Sequence, residues 1–280
     1  RRRGTYPPGV KPCVWTERML AALASGVKGG KWHTLNDKVR RPENLLDAWK
    51  QVRANHGSKG VDGQTVEYFG RYESRELGKL RTELENGRYT PQAVRRVMIP
   101  KPGSREKRPL GIPTVRDRVV QTALRNVIEP IFEHSFHENS FGFRPGRNQK
   151  QALRRVDGLL REGATWIVDA DLKGYFDTIP HDKLMERVGE KISDSGILRL
   201  IRSYLKAGIM DNLREWTPEE GTPQGAIISP LLANIYLDPL DKLMAERGFE
   251  MTRYADDFVV QCRSEEEARQ ALETISQWTE

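Results

Sequence analysis

Toward its C-terminal end the chain reads Tyr254-Ala255-Asp256-Asp257, set between two apolar, β-prone runs, Met251-Thr252-Arg253 and Phe258-Val259-Val260-Gln261-Cys262. Strand-like flanks on both sides of a short polar stretch predict a hairpin with two adjacent carboxylates at its turn. Neighbouring acids suit a divalent cation better than a packed core. A third carboxylate, Asp171, ends another β-like run, Thr165-Trp166-Ile167-Val168-Asp169-Ala170-Asp171-Leu172. Three acids on strand ends suggest a two-metal site for nucleotidyl transfer. Asp169 falls two residues before Asp171, on the same face of an ideal strand, so geometry alone leaves it a rival ligand.

A chain of 280 residues can build one large or two ordinary domains. No apolar run approaches a membrane span, and the start, Arg1-Arg2-Arg3, lacks the apolar stretch of a secretory signal. A soluble intracellular protein with no membrane partner is expected. Cys13 and Cys262 are the only cysteines and stand in no metal-ligand spacing, which argues against a disulfide framework or a zinc site. Charge is segregated: residues 1–150 hold 30 Lys and Arg against 15 Asp and Glu, whereas residues 151–280 hold 16 against 24. A basic first half joined to an acidic second half suggests a polyanion-gripping part attached to a metal-gripping part.

Residues 1–40 read as an N-terminal extension, with a helical pattern from Thr16 to about Ala24 that Gly26, Gly29 and Gly30 interrupt. From Pro42 to about Asn55, Leu45, Leu46, Trp49 and Val52 recur at helical spacing. Gly60-Val61-Asp62-Gly63 signals a turn, and an amphipathic helix follows from about Ser74 to Asn86. Val94 to Lys101 and Lys107 to Pro113 form a hairpin pattern with basic side chains on and beside its loop. A long helix is predicted from Val115 to His134, with Val119, Val120, Ala123, Leu124, Val127 and Ile131 as its apolar stripe. After a Gly/Pro-punctuated loop over Ser140 to Arg147, another helix runs to about Arg161, and a further one starts at His181. The turn Gly221-Thr222-Pro223-Gln224-Gly225 precedes a long helix from Ser229 to Arg247, and Ser264 with Glu267 forms a capping box for a last helix. This order predicts an α+β fold rather than a doubly wound parallel sheet.

Several of these segments, in this order from about Pro42 to Gln261, resemble the reverse transcriptases encoded by bacterial group II introns, also called maturases. Asp171-Leu172-Lys173-Gly174-Tyr175-Phe176-Asp177 is similar to that family's first palm motif, and Gly221 to Gly225 with Ser229-Pro230-Leu231-Leu232-Ala233-Asn234 to its second. Tyr254-Ala255-Asp256-Asp257 is the form of the third that the family favours. Ile99-Pro100-Lys101, Arg108-Pro109-Leu110-Gly111-Ile112-Pro113 and Asn139-Ser140-Phe141-Gly142-Phe143-Arg144 resemble its fingers blocks. An Asp-Asp turn alone is ordinary, but six blocks in sequence are specific.

The resemblance implies right-hand polymerase fingers and palm, the palm with a ferredoxin-like antiparallel sheet. Fingers are expected over residues 41–118, with a second segment at about 185–215, and palm over 119–184 and 216–280. The family's later palm motifs and helical thumb have no counterpart before Glu280, so a fingers-palm fragment with the thumb absent, weak or inactive alone, is expected. The resemblance further implies two Mg²⁺ ions, bridged by Asp171 and Asp256, with the Leu172 carbonyl and Asp257 completing their shells. It assigns Lys101 and Arg108 to the triphosphate, by point charge and bidentate fork respectively. Gly174, Tyr175, Phe176 and Gln224 are expected at the nucleotide, with the Phe176 ring excluding a 2′-hydroxyl. Arg144, Pro223 and Gly225 are expected to brace the pocket or the template.

Lys28, Lys31, Lys38, Arg40, Arg41, Arg95 and Arg96, interleaved with Trp15, Trp32 and Trp49, form a candidate surface for structured RNA, although Trp49 sits on an apolar stripe and reads as core. The expected partners are group II intron RNA, an RNA template with a DNA primer, and dNTPs, with room for a homodimer. The expected setting is a ribonucleoprotein in the bacterial cytoplasm. The activity so implied is RNA-dependent DNA synthesis with assistance to intron splicing and mobility. The alternatives are a stand-alone defence or CRISPR-associated relative, and an RNA-binding splicing factor whose polymerase activity is dispensable.

Overall fold

The structure, a computed structural model, describes residues 6–279 except 28, 101, 102, 104, 173, 212, 213, 223 and 224, with backbone alone for 214–216. Its first helices are α1 (Glu17–Ser25), α2 (Asn36–Val39), α3 (Pro42–Ala54), α4 (Val66–Arg71) and α5 (Glu73–Glu85). Strands β1 (Val94–Pro100) and β2 (Lys107–Ile112) lead into α6 (Val115–Glu133) and α7 (Gln149–Arg161). Then come β3 (Trp166–Asp171), α8 (Tyr175–Thr178), α9 (His181–Lys191), α10 (Ser195–Leu205), β4 (Ile209–Asp211) and β5 (Arg214–Trp216). The chain continues through α11 (Ser229–Glu246), β6 (Glu250–Tyr254), β7 (Asp257–Cys262) and α12 (Glu265–Thr279). The architecture is α+β, as the order of sequence patterns predicts.

Packing divides the chain into two compact units, one of residues 1–134 and 176–229, the other of residues 135–175 and 230–280. The bounds of these units differ from the fingers and palm bounds expected above.

In the first unit a four-stranded sheet has the order β2-β1-β4-β5; β1 and β2 are antiparallel, whereas β1 and β4 run parallel. Thr114 caps α6, its hydroxyl accepting the Asp117 amide at 3.1 Å. The α6 helix is buried on nearly every side, well beyond its predicted stripe, and takes up Gln121, Thr122 and Asn126 as well. Polar residues survive there because they are paired: Asn44 on α3 donates to the Ala123 carbonyl at 2.9 Å, and Asn126 donates to Asn44 at 2.9 Å. Trp49 is core, stacked on Phe69 at 4.5 Å. Trp15 differs from expectation: it is 1% exposed and its indole N–H donates to the Asn126 carbonyl at 3.1 Å, so its ring is closed to RNA.

In the second unit β3, β7 and β6 form an antiparallel sheet in that order. Helix α12 packs on β3 and β7, and α7 on β6 and β7. Val168, Met251, Phe258, Val260 and Cys262 share one buried face, and Thr252 and Gln261 are buried on the other. The predicted capping box of α12 is half formed. Ser264 accepts the Glu267 amide at 3.2 Å, but the Glu267 carboxylate reaches back to the Arg263 amide at 2.7 Å rather than to Ser264 itself.

Candidate active site

The predicted hairpin is present, and its register fixes where the acids point. Tyr254 pairs with Asp257, so Ala255 and Asp256 alone make the turn, and Asp171 pairs with Asp257 on the other side of β7. Residues directly opposite in an antiparallel pair share a face. Asp171 and Asp257 therefore stand side by side at the end of the sheet, next to the turn carrying Asp256. Asp169, opposite Val259, lies one row further along the same face. Asp169, Asp171 and Asp257 are exposed and Asp256 is half-buried.

Electrostatics reflect this crowding. The Asp257 carboxyl is pushed above the usual carboxylate range, by burial first and then by the charges of Asp256, Asp171 and Asp169. Asp169 contributes least of these, in keeping with its place one row away. Mutually repelling hard oxygens on an exposed edge are a donor set suited to Mg²⁺. Among the described residues, no group of three or more His, Cys, Asp and Glu is arranged as a ready-made metal cage.

The Leu172 carbonyl accepts the Tyr175 amide at 3.0 Å, which leaves one lone pair for a metal. Gly174 takes a left-handed φ of 64°, turning the chain into α8. Tyr175, expected at the nucleotide, is a buried anchor whose hydroxyl donates to the Ala233 carbonyl at 2.7 Å. Arg144 is buried too. It donates to the His137 and Ser140 carbonyls at 2.6 and 2.7 Å and lies over the Phe136 ring, so it braces its own loop.

In the first unit Arg108 is exposed on β2, opposite Ile99. The Phe176 carbonyl accepts the Thr222 amide at 2.6 Å, the Ile179 carbonyl accepts the Gly221 amide at 2.9 Å, and His181 Nε2 lies 2.7 Å from the Gly221 carbonyl. Gly221 and Thr222 are thus strapped to the segment that carries Phe176. Gly225 has φ 100°, and a Cβ there would come within 2.6 Å of the Gly111 carbonyl oxygen, so only glycine fits against β2. A cavity of about 260 Å³ lies in this unit, lined by Arg96, Pro109, Gly111, Asp177, Glu220 and Thr222 among others. Lys28, Lys101, Pro223 and Gln224 lie outside the described residues.

The basic candidates differ in what holds them. Lys31 is exposed. Lys38 and Arg41 reach Asp37, at 2.5 and 3.8 Å, and Arg40 is half-buried. Arg95 donates to the Lys59 carbonyl at 2.8 and 3.1 Å, and Arg96 stands 3.6 Å from Asp211.

A family model described as reverse transcriptase (RNA-dependent DNA polymerase) matches residues 99–280. The group II intron-encoded protein LtrA of Lactococcus lactis subsp. cremoris is 40% identical over 217 residues, covering 76% of this chain and 35% of LtrA. Protein YkfC of Escherichia coli (strain K12) is 40% identical over 237 residues, covering 82% of this chain and 62% of YkfC. The chain thus spans about a third of one relative and three fifths of the other. Among solved structures, a partial Cas6-RT-Cas1–Cas2 complex is similar with a TM-score of 0.53 at 23% identity, covering 88% of this chain and 41% of that one. This likeness concerns the fold alone. No helix among the described residues is long and apolar enough to cross a membrane.

Proposed function

The chain belongs to the reverse transcriptase (RNA-dependent DNA polymerase) family, and on that premise we propose that it copies an RNA template into DNA, adding deoxynucleotides to a primer 3′-hydroxyl. The observation that carries this reading is the register that sets Asp171 beside Asp257, next to the Ala255-Asp256 turn. Asp171, Asp256 and Asp257, with the free lone pair of the Leu172 carbonyl, would hold two Mg²⁺ ions. Bound there, the ions supply charge neutralisation for the triphosphate and a lowered pKa for the attacking hydroxyl.

The remaining roles belong to the chain itself. Asp171 and Asp256 bring carboxylates from two separate chain segments, and Asp257 stands among like charges that a cation would neutralise. Arg108 offers a planar fork that matches phosphate oxygens. Phe176, fixed through its carbonyl by Thr222, sets a flat ring where a ribose 2′-hydroxyl would otherwise fit. In this reading the fingers comprise residues 41–118 and about 185–215, and the palm 119–184 and 216–280.

We also propose that the basic first half binds structured RNA, group II intron RNA in particular. The likeness to an intron-encoded protein and the surplus of Lys and Arg before residue 150 support this. Such a protein would work in a ribonucleoprotein in the bacterial cytoplasm. The two activities are separable, because one rests on carboxylates and the other on cations.

Primer extension on an RNA template with dNTPs and Mg²⁺, using the full-length protein and its Asp256→Asn variant, tests the reading. Extension by the parent and its loss in the variant, with RNA affinity unchanged, are expected. Extension at the parental rate by the variant would overturn the carboxylate assignment. RNA binding that persists undiminished into molar salt would overturn the phosphate-contact account.

A further inference from the structure

Immediately before the acidic turn, β6 carries an arginine with no exposed surface: Arg253 is 0% accessible. Its guanidinium makes a bidentate pair with Asp241 on α11, Nε to Oδ1 at 2.7 Å and Nη2 to Oδ2 at 2.5 Å. Nη1 donates to Asn234 Oδ1 at 2.9 Å and to the Ala255 carbonyl at 2.7 Å. Asn234, seven residues before Asp241 and so on the same face of α11, donates in turn to the Gly142 carbonyl at 2.9 Å. The Arg253 backbone is tied as well, its N–H donating to the Asn139 carbonyl at 3.0 Å and its carbonyl accepting the Phe141 amide at 2.9 Å.

One of these bonds reaches into the turn, to Ala255, and the others hold Arg253 in place to make it. Ala255 holds a left-handed φ of 62°, which an L-residue adopts only when its surroundings impose it. Arg253 grips its carbonyl, and Gly142 presses on its amide side so closely that a Cβ on Gly142 would fall 2.1 Å from Ala255 N. Asp256 and Asp257 follow directly, so the direction of their Cα–Cβ bonds is set by how Ala255 is held.

Stability does not account for the pair. Taking an arginine and an aspartate out of water is costly, and well-packed apolar residues of similar size commonly serve a core as well or better. What an apolar side chain cannot do is donate to the Ala255 carbonyl. We propose that Arg253, oriented by Asp241 and Asn234, is a positioning residue that fixes the Ala255 backbone and thereby aims the Asp256 and Asp257 carboxylates. This inference rests on the reading of those carboxylates as the metal-holding acids of a polymerase.

The test uses the full-length protein, with Arg253→Met/Asp241→Leu to remove both charges while keeping volume, Arg253→Lys to keep charge without the fork, and Asp256→Asn as reference. Thermal unfolding, RNA affinity, kcat and KM for a single dNTP incorporation, and the half-saturating Mg²⁺ concentration are measured on each. The double variant should unfold within about 5 °C of the parent and bind RNA equally well. Its kcat should fall about 10²-fold, with KM changed by less than roughly threefold and the half-saturating Mg²⁺ concentration raised. Arg253→Lys should fall between the two. A purely structural ion pair would move the unfolding temperature and leave kcat alone. A folded double variant with kcat near the parent's, while Asp256→Asn abolishes incorporation, would overturn the proposal. Should the double variant fail to fold, a folded Arg253→Lys with unchanged kcat would do the same. Incorporation by Asp256→Asn would instead overturn the assignment of the acids.

Discussion

Gly142→Ala puts the acidic turn under direct strain. The added methyl would meet Ala255 N at 2.1 Å, Ala255 Cα at 2.8 Å and the Tyr254 carbonyl carbon at 2.8 Å. These are backbone atoms, so no rotamer change can relieve the clash. Reaching ordinary contact with Ala255 N requires a displacement of about 1.3 Å, either of the loop around Gly142 or of the turn. The loop is held by the buried Arg144, and the turn by Arg253. Forcing a methylene-sized group into such a place costs about 1–3 kcal/mol. For a chain of this size that lowers Tm by about 2–12 °C, at about 2–4 °C per kcal/mol.

The catalytic effect should exceed the thermal one. A misplacement on the order of 1 Å at reacting groups costs about 10²-fold in rate. Differential scanning fluorimetry and primer extension on RNA, run on Gly142→Ala beside Gly158→Ala, separate the two effects. Gly158 lies within α7, and a methyl added there would meet nothing inside 4 Å, so that substitution should stabilise by about 0.5–1 kcal/mol. If Gly142→Ala melts and extends primers like the parent, the turn is not held as tightly as these contacts require, and the reasoning fails.

Asp194 accepts the Leu35 and Asn36 amides at 2.7 and 2.9 Å through one oxygen and the Gly196 and Ile197 amides at 2.9 and 3.1 Å through the other, joining the starts of α2 and α10. Asp194→Ala should destabilise by about 2–4 kcal/mol in urea unfolding at pH 7, as several amides lose their acceptor at once; a loss below about 0.5 kcal/mol would show the caps to be idle. Partial burial acts to raise the Asp194 carboxyl, but the four amides outweigh it and hold the group below its ordinary value. Its contribution is therefore complete above the unfolded-state pKa of about 3.9 and lost as pH falls through the lower folded value, so Asp194→Asn should flatten the stability profile below about pH 4. Phe176→Ala should admit ribonucleotides, raising the ratio of rNTP to dNTP incorporation in primer extension; an unchanged ratio would remove Phe176 from the sugar pocket.

The acids are legible in the sequence because their signal is local: a short polar stretch between β-prone runs marks a hairpin, although only Asp256 lies in its turn and Asp257 opens β7. Their neighbour across the sheet is legible only as a strand end, since the pairing of Asp171 with Asp257 joins segments 86 positions apart. Period-two alternation leaves Asp169 and Asp171 on one face; the resemblance singles out Asp171, and the register sets it beside Asp257. Helix α10 has no counterpart among the predicted elements although Ile197, Leu200, Ile201, Tyr204 and Leu205 recur at helical spacing behind the Asp194 cap, so its signal is there to be read. Strands β4 and β5, three residues each, are too short for any alternation to emerge. Arg253 reads only as a strand flank, because nothing local distinguishes an arginine that points into a core from one that reaches for water. Its partners lie on a helix whose pattern shows only that Asn234 and Asp241 share a face.

The same limit applies to charge. A count of Lys and Arg treats every cation as available, whereas a phosphate can recruit only those whose donors are not already engaged. Arg118 is 8% exposed and donates to the Ser58 carbonyl at 2.7 Å; Arg116 pairs with Glu83; Arg95 holds the Lys59 carbonyl. In the second unit Arg144 and Arg253 are buried braces for the loop and turn around the acids. Arginine's planar fork suits this work, since one side chain can tie several carbonyls without a lone pair of its own to satisfy. The basic surplus of the first half is thus two populations, one that holds the fold and one that faces solvent. The salt dependence of RNA binding should follow the second, with a slope smaller than the formal surplus of 15 positive charges before residue 151 would give.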